Sequence, residues 1–150
     1  MPVRFADQGS IKAAIADVLS PTTFSGWVLV GYSGPETLVL QAKGSGGVPE
    51  LVSNLKDNEV QYCLVRIPLE NAVSSSRAQG DPQKTRDVFI AWTGPAVKII
   101  EKGKKMAHVG DVTKVLAPSH AELTAISKQN FTEAVVRDRS DVLSGSHVID

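Results

Sequence analysis

The chain has 150 residues, 42% hydrophobic content, and sixteen basic against sixteen acidic residues. This length favours one compact domain, and the balanced charge excludes a global field that would attract nucleic acid, so electrostatic recognition depends on local patches. The single cysteine, Cys63, excludes an internal disulfide and lies in an apolar run, where a small core residue is expected and a zinc ligand or nucleophile is not.

Hydrophobic periodicity separates helices from strands along the chain. Apolar residues at 11, 14, 15, 18 and 19 recur at helical spacing, whereas residues 27–32 and 37–42 are β-rich runs joined by a Gly-Pro turn, which predicts a β-hairpin. The dense run Asp87-Val-Phe-Ile-Ala-Trp92 indicates a strand buried on both faces and therefore central in its sheet. The predicted elements, in chain order, are helix 11–19, strands 27–32 and 37–42, helix 49–55, strands 60–67 and 87–92, helix 104–116, strand 122–126 and helix 130–136.

The predicted helix 104–116 is amphipathic. Its apolar face comprises Met106, Val109, Val112 and Leu116. Pro118 ends the helix, and Gly103 at its entry and Gly110 within it each weaken it by about 1 kcal/mol relative to alanine. Tertiary packing must therefore hold this helix in place.

Helices that alternate with strands predict an α+β fold, in which helices on both faces cover a mixed, mainly antiparallel sheet of five to six strands. The polar segment 69–85 is predicted to be an exposed loop, and residues 140–150 a flexible tail that follows a domain over residues 1–139. The N-terminus has no apolar stretch long enough for a signal peptide or membrane span, so a cytosolic location is expected.

The order of several motifs resembles the actin-depolymerising-factor homology family, which includes the cofilins and coactosins. Residues 88–92, Val-Phe-Ile-Ala-Trp, are followed by a long basic segment and then by Ala-Glu-Leu-Thr-Ala at 121–125. The glycine-rich residues 43–47, and Trp92-Thr-Gly94 with Val97 just beyond, resemble the coactosin branch. The resemblance covers residues 10–137. It implies one domain of that fold, actin filaments as partner, and neither catalysis nor a cofactor.

The resemblance also implies two filament-contacting surfaces. The first lies on the long helix and its entry, and its residues would be Lys102, Lys104, Lys105, Met106 and His108. The second lies at the start of the fourth strand with help from the last helix, and its residues would be Lys84, Arg86 and Arg137. Actin's acidic surface would reward such clusters in a salt-sensitive way. A solvated helix face is the alternative for the first set, and strand-edge charge that prevents aggregation is the alternative for Lys84 and Arg86.

Two departures from the family pattern bear on the kind of actin binding. Cofilins have a lysine-methionine pair where this chain has Lys102-Gly103, and residues 140–150 replace a glycine-rich coactosin tail. The first departure favours binding along filament sides over the alternative, cofilin-like monomer binding and severing. Actin monomers and a weak phosphoinositide contact are secondary candidate partners, and a monomeric protein in the cytoplasm, at the cytoskeleton, is expected.

A rival from another class is a small nucleotide-binding enzyme that uses the loop Gly44–Gly47. The loop lies between a strand and a helix, where glycines can cradle phosphates, but it lacks the lysine and serine or threonine of a P-loop. A tight connection that needs positive φ is the alternative. The three histidines are scattered, and no catalytic pair supports an enzyme. Trp27 and Trp92 are expected in the core, each with a local acceptor for its indole N–H.

Overall fold

The computed structural model describes residues 3–20, 23–68, 85–141 and 143–150. The strands are β1 (Arg4–Phe5), β2 (Gly26–Tyr32), β3 (Thr37–Gly44), β4 (Val60–Pro68), β5 (Thr85–Thr93), β6 (Ala121–Ala125) and β7 (Val148–Ile149). The helices are α1 (Gln8–Val18), α2 (Val48–Val52), α3 (Ile99–Met106), α4 (Val109–Val115) and α5 (Glu133–Arg139). In these described ranges no helix is both long and apolar enough to cross a membrane. All but the last residue of the predicted loop 69–85 lies outside the described residues.

The strands form one mixed sheet in the order β1-β3-β2-β4-β5-β6-β7. The long pairs β2–β3, β2–β4 and β4–β5 are antiparallel, and the shorter pairs at the two sides are parallel. The predicted α+β fold is confirmed. The described residues give seven strands instead of five to six, because the two-residue strands β1 and β7 are too short to leave a periodic signal in the sequence.

Helices cover both faces of this sheet. One core lies under α1 and α4, and the other lies under α2 and α5. Strand β5 contributes alternately to both: Val88 and Ile90 point to the α2–α5 side, and Phe89 and Ala91 point to the α1–α4 side. The prediction that this strand is central and buried on both faces is confirmed.

Both tryptophans are core residues with bonded indole groups, as predicted. Trp27 donates from Nε1 to Oε1 of Glu50 over 3.0 Å, and Trp92 donates from Nε1 to the carbonyl oxygen of Lys56 over 2.8 Å. Cys63 is buried among apolar neighbours, and burial raises the pKa of its thiol to about 12. The predicted structural role of this cysteine fits that environment.

The predicted helix 104–116 is two helices. The N–H of His108 donates to the carbonyl oxygen of Lys105 over 3.0 Å, a three-residue step that tightens the turn and changes which face points to the sheet. Val112 and Leu116 are buried as expected, but Met106 is 42% exposed. The single apolar face expected from the sequence therefore does not continue across this junction.

Two helices also begin at residues other than those expected. Asp7 caps α1, ahead of the expected start at residue 11, because its carboxylate accepts hydrogen bonds from the backbone N–H and the hydroxyl of Ser10. Those bonds lower the pKa of Asp7. Thr132 caps α5 through its hydroxyl, and Asn130 instead donates to the carbonyl oxygen of Asp150.

Residues 140–150, expected as a flexible tail, carry β7 at their end. Val148 and Ile149 pair with β6, and the side chain of Ile149 is fully buried. Backbone bonds from Thr124 to His147 and from Ile126 to Ile149 complete the pairing at 3.1 and 2.9 Å. The polar composition of the segment hides this contact, because a single buried isoleucine is enough to place the strand.

Candidate functional site

Helix α3 stands away from both cores. None of its eight residues, all of which the structure describes, is buried, and Ile99 and Ile100 are 87% and 75% exposed. An open groove of about 930 Å³ separates the helix from the β2–β3 turn, with Tyr32 and Pro35 on the far side. Adjacent exposed isoleucines beside an apolar groove are typical of an interaction surface.

The predicted lysines of α3 differ in their surroundings. Lys102 and Lys104 are exposed, as is Met106 beyond them. Lys105 is only 13% exposed; its ammonium group pairs with Glu101 and lies 4.3 Å from the centre of the Tyr32 ring. The hydrogen bond and the charge of Lys105 lower the pKa of Glu101. Lys102 and Lys104 are therefore accessible to a partner, while Lys105 is engaged within the domain.

His108 faces inward, at the junction of α3 and α4. It is 7% exposed, and its Nδ1 lies 2.6 Å from the hydroxyl oxygen of Tyr32. That hydroxyl is 2.8 Å from the hydroxyl of Tyr62, which donates to the carbonyl oxygen of Lys105 over 2.8 Å. His108, predicted as a contact residue, is therefore placed where it joins the helices to the sheet.

The second predicted surface is assembled at the start of β5. Nη1 of Arg86 donates to the carbonyl oxygen of Arg137 over 3.0 Å and to Oγ of Ser140 over 2.8 Å. Arg137 in turn pairs with Glu133 on α5 over 2.8 Å. The structure therefore brings Arg86 and Arg137 together. Lys84 lies outside the described residues.

The two surfaces lie at opposite ends of β5. Arg86 is near the beginning of the strand, and Thr93 at its end leads into α3. At roughly 3.3 Å per residue, these positions are about 23 Å apart along the strand. Two separate contacts can therefore be made from one rigid strand.

Sequence reasoning missed Ile99 and Ile100. They stand at the start of α3, outside the apolar face predicted for the helix. Two adjacent isoleucines followed by four charged residues within the next five positions were the available signal, since neither isoleucine has an apolar residue three or four positions later. The contact between Tyr32 and Tyr62 was also missed, because no local sequence pattern connects two residues that are 30 positions apart.

The glycine-rich loop holds a carboxylate of the chain itself. Oε1 of Glu50 accepts from the Trp27 indole at 3.0 Å and from the N–H of Gly46 at 3.3 Å. A Cβ at Gly44 would lie 2.8 Å from two ring atoms of Trp27 and would overlap Glu50. Among described glycines only Gly26, with φ 152°, has positive φ, so the expected need for positive φ in this loop is wrong. Close approach is what requires glycine, and the carboxylate disfavours a bound phosphate.

Comparisons with known proteins match nearly the whole chain. Residues 5–141 match the family model described as "Cofilin/tropomyosin-type actin-binding protein". Drebrin-like protein B of Xenopus laevis is 29% identical over 98% of this chain, which spans only 37% of that protein's length. Coactosin of Dictyostelium discoideum is 31% identical over 71% of this chain and 68% of its own. These matches include the α3 region and β5.

A solved structure shares the fold. The solution structure of mouse coactosin, described as an actin filament binding protein, has a TM-score of 0.69 at 19% identity. The likeness covers 97% of this chain and 95% of that one. At this identity the likeness shows the fold alone.

Proposed function

Because the chain belongs to the cofilin/tropomyosin-type family of actin-binding proteins, in its coactosin-like branch, we propose that it binds along the sides of actin filaments. It would alter filament dynamics without catalysing a reaction, in the cytoplasm at the cytoskeleton. The name that mouse coactosin carries, actin filament binding protein, supports filaments as the partner.

The observation that carries the proposal is the exposed surface of α3. Ile99 and Ile100 offer apolar area, and Lys102 and Lys104 follow on the same short helix. Full burial of one isoleucine in a partner contributes about 1.5–3 kcal/mol, which makes this pair the main source of affinity. The lysines add a smaller contribution that falls as salt rises.

The second surface favours filaments over monomers. Arg86 and Arg137, with Lys84 as a further proposed contact, lie about 23 Å from the α3 end of β5. A filament presents neighbouring subunits that can engage both surfaces at once. A single actin monomer would engage only one of the two surfaces. Simultaneous engagement raises the overall affinity without new contacts at either surface.

The alternative within the family is monomer binding and severing. Gly103 stands where the cofilin pattern has methionine, and a side chain added there would meet no atom within 4 Å. The exposed apolar contact that a methionine supplies is therefore missing from this position. Side binding is favoured for that reason, and a dilution assay with pyrene-labelled filaments separates the two: faster disassembly would identify a severing factor.

Co-sedimentation with filaments tests the proposal. We expect the wild-type protein to pellet with filaments at low salt, and Ile99→Ser/Ile100→Ser to weaken binding by about tenfold or more, because the apolar contribution is lost. Lys12→Gln, which removes an exposed lysine from α1, is the control substitution outside α3. Wild-type protein that stays in the supernatant at low salt would contradict the proposal.

The two kinds of α3 contact can be separated by salt. Lys102→Gln/Lys104→Gln is expected to weaken binding at low salt and to make the affinity less dependent on salt concentration. Ile99→Ser/Ile100→Ser is expected to weaken binding while leaving the salt dependence close to that of the wild type. An unchanged salt dependence in the lysine variant would show that Lys102 and Lys104 do not contact the filament.

A further inference from the structure

We propose that Tyr32 and Tyr62 are positioning residues for filament binding, because their hydroxyl groups hold α3 at the angle that presents its exposed face. This inference rests on the proposed function and gives a supporting role to two residues that lie beneath the proposed binding surface. Neither tyrosine has to touch the filament. Their effect passes through the backbone and side chain of Lys105.

Helix α3 needs such support because the cores do not supply it. None of its side chains, all within the described part of the chain, is buried, whereas α4 is anchored by Val112. The three-residue step from Lys105 to His108 separates the two helices, so the anchoring of α4 does not by itself fix the direction of α3. The contacts at Lys105 and His108 must therefore set that direction.

The hydroxyl groups form a hydrogen-bond chain with one possible direction. The Tyr62 proton goes to the carbonyl oxygen of Lys105, because a carbonyl only accepts. The 2.8 Å contact between the two hydroxyls then requires Tyr32 to donate to Tyr62. Tyr32 has no second proton, so the 2.6 Å contact with His108 requires Nδ1 of His108 to donate.

Burial keeps both protons in place. Desolvation raises the pKa of Tyr62 to about 12, against a smaller lowering by its bond to Tyr32, and desolvation also raises the pKa of Tyr32 well above its ordinary value. Both hydroxyls therefore stay protonated across the physiological range, and the direction of the chain does not change there. The chain works as a fixed support.

The side chain of Lys105 adds a second attachment at the same residue. Its ammonium group lies 4.3 Å from the centre of the Tyr32 ring and pairs with Glu101 one turn earlier. A cation over an aromatic face contributes favourably where water is partly excluded. Tyr32 therefore holds the lysine side chain, while Tyr62 holds its backbone carbonyl.

Amide hydrogen exchange on the free protein tests the support directly. Tyr62→Phe keeps the ring that stacks against Phe89 and removes the hydroxyl group, which bonds to Lys105 and to Tyr32; of these two bonds only the one to Lys105 reaches α3. We expect exchange of the α3 amides to quicken by about three- to tenfold, as for loss of one partly buried hydrogen bond, and exchange in α1 to stay unchanged. Equal exchange of α3 in the variant and the wild type would overturn the inference.

Filament co-sedimentation supplies the functional readout. Tyr62→Phe is expected to bind about three- to tenfold more weakly although every exposed residue of α3 is intact. Leu51→Ala, in α2 on the opposite face of the sheet, is the control for general loss of stability and should leave both α3 exchange and affinity unchanged. Weakened binding in Leu51→Ala equal to that in Tyr62→Phe would assign the effect to stability and overturn the inference.

A spectroscopic signature checks the chain itself. Nitrogen NMR of the wild-type protein at neutral pH is expected to show Nδ1 of His108 protonated, and Tyr32→Phe should remove that preference. An unprotonated Nδ1 would contradict the deduced direction. The exchange and NMR measurements use no actin. Failure of the wild type to bind filaments would therefore count against the proposed function, while these two measurements would still test whether the tyrosines hold α3.

Discussion

Nη1 of Arg86 donates a hydrogen bond to the backbone carbonyl oxygen of Arg137 over 3.0 Å, which joins the start of β5 to the end of α5. The guanidinium group meets the last turn of the helix, where backbone carbonyls carry partial negative charge. A residue predicted for partner contact thus also has a part in the fold. Any effect of an Arg86 substitution on filament binding must therefore be compared with the effect of the same substitution on the stability of the protein.

Arg86→Ala is expected to lower the free energy of unfolding by about 1–3 kcal/mol, because two hydrogen bonds from a charged donor are lost and Ser140 is left with one partner fewer. Lys104→Ala, at an exposed position of α3, is the matched control and should change stability by less than about 0.5 kcal/mol. Urea denaturation measures both. Equal stabilities of the two variants would mean that the Arg86 bonds contribute nothing to the fold.

Substitution of two glycines by alanine should have opposite effects. Gly44→Ala is expected to destabilise the protein by about 2 kcal/mol or more, because the new Cβ would press on Trp27 and displace Glu50 from the indole. Gly103→Ala meets no atom within 4 Å and should stabilise α3 by up to about 1 kcal/mol. Thermal unfolding compares them, and a tolerated Gly44→Ala would refute the close-approach explanation.

The end of the chain should matter for stability. Ile149→Ala is expected to cost about 2–3 kcal/mol, since the side chain is fully buried at the edge of the sheet. Val148→Ala, at the neighbouring and exposed position, should cost about 0.5 kcal/mol or less. Urea denaturation at neutral pH distinguishes this from a flexible tail, for which both variants would match the wild type.

Stability should fall at alkaline pH partly because of Cys63. Burial raises the pKa of its thiol from 9.0 to about 12, so the folded state keeps a proton that the unfolded chain releases. The resulting stability is complete below pH 9 and is lost as pH rises from 9 towards 12. At neutral pH we expect Cys63→Ala to be less stable than the wild type.

That difference between wild type and Cys63→Ala should shrink by about 1 kcal/mol between pH 7 and pH 10, because only the wild type has the thiol to ionise. Urea denaturation at several pH values provides the comparison, and groups common to both proteins cancel. A difference that stays constant up to pH 10 would show that the thiol ionises as easily in the folded state as in the unfolded chain.

The sequence predicted the long helices and strands well because their buried residues recur in regular patterns. The run from Val88 to Trp92 is apolar at every position, and this pattern requires a strand with a core on each side. The break between α3 and α4 could not be predicted in the same way. Close to the break, the carbonyl oxygen of Lys105 accepts a hydrogen bond from Tyr62, more than forty residues earlier in the chain, and no local pattern predicts that contact.

The sequence predicted charged residues for the candidate site, but it could not show which of them pack inside the domain. Lys102 and Lys104 are exposed on α3, as expected of contact residues, and those roles remain predictions. Lys105 and His108 look equivalent to them in sequence, yet both turn towards Tyr32. Which charged residues of a helix face outward is decided by neighbours that are distant in sequence.

Helix α3 has a consequence for divergence among related domains. Since none of its side chains, in the part of the chain that the structure describes, is buried, residues such as Ile99 and Lys102 can be replaced at little cost to folding. Mutations at such exposed positions are constrained by the partner more than by folding, whereas mutations in β5 are constrained by the stability of the domain. As the proposed contact surface, α3 therefore allows the same scaffold to acquire new partner preferences through a few substitutions at its exposed positions.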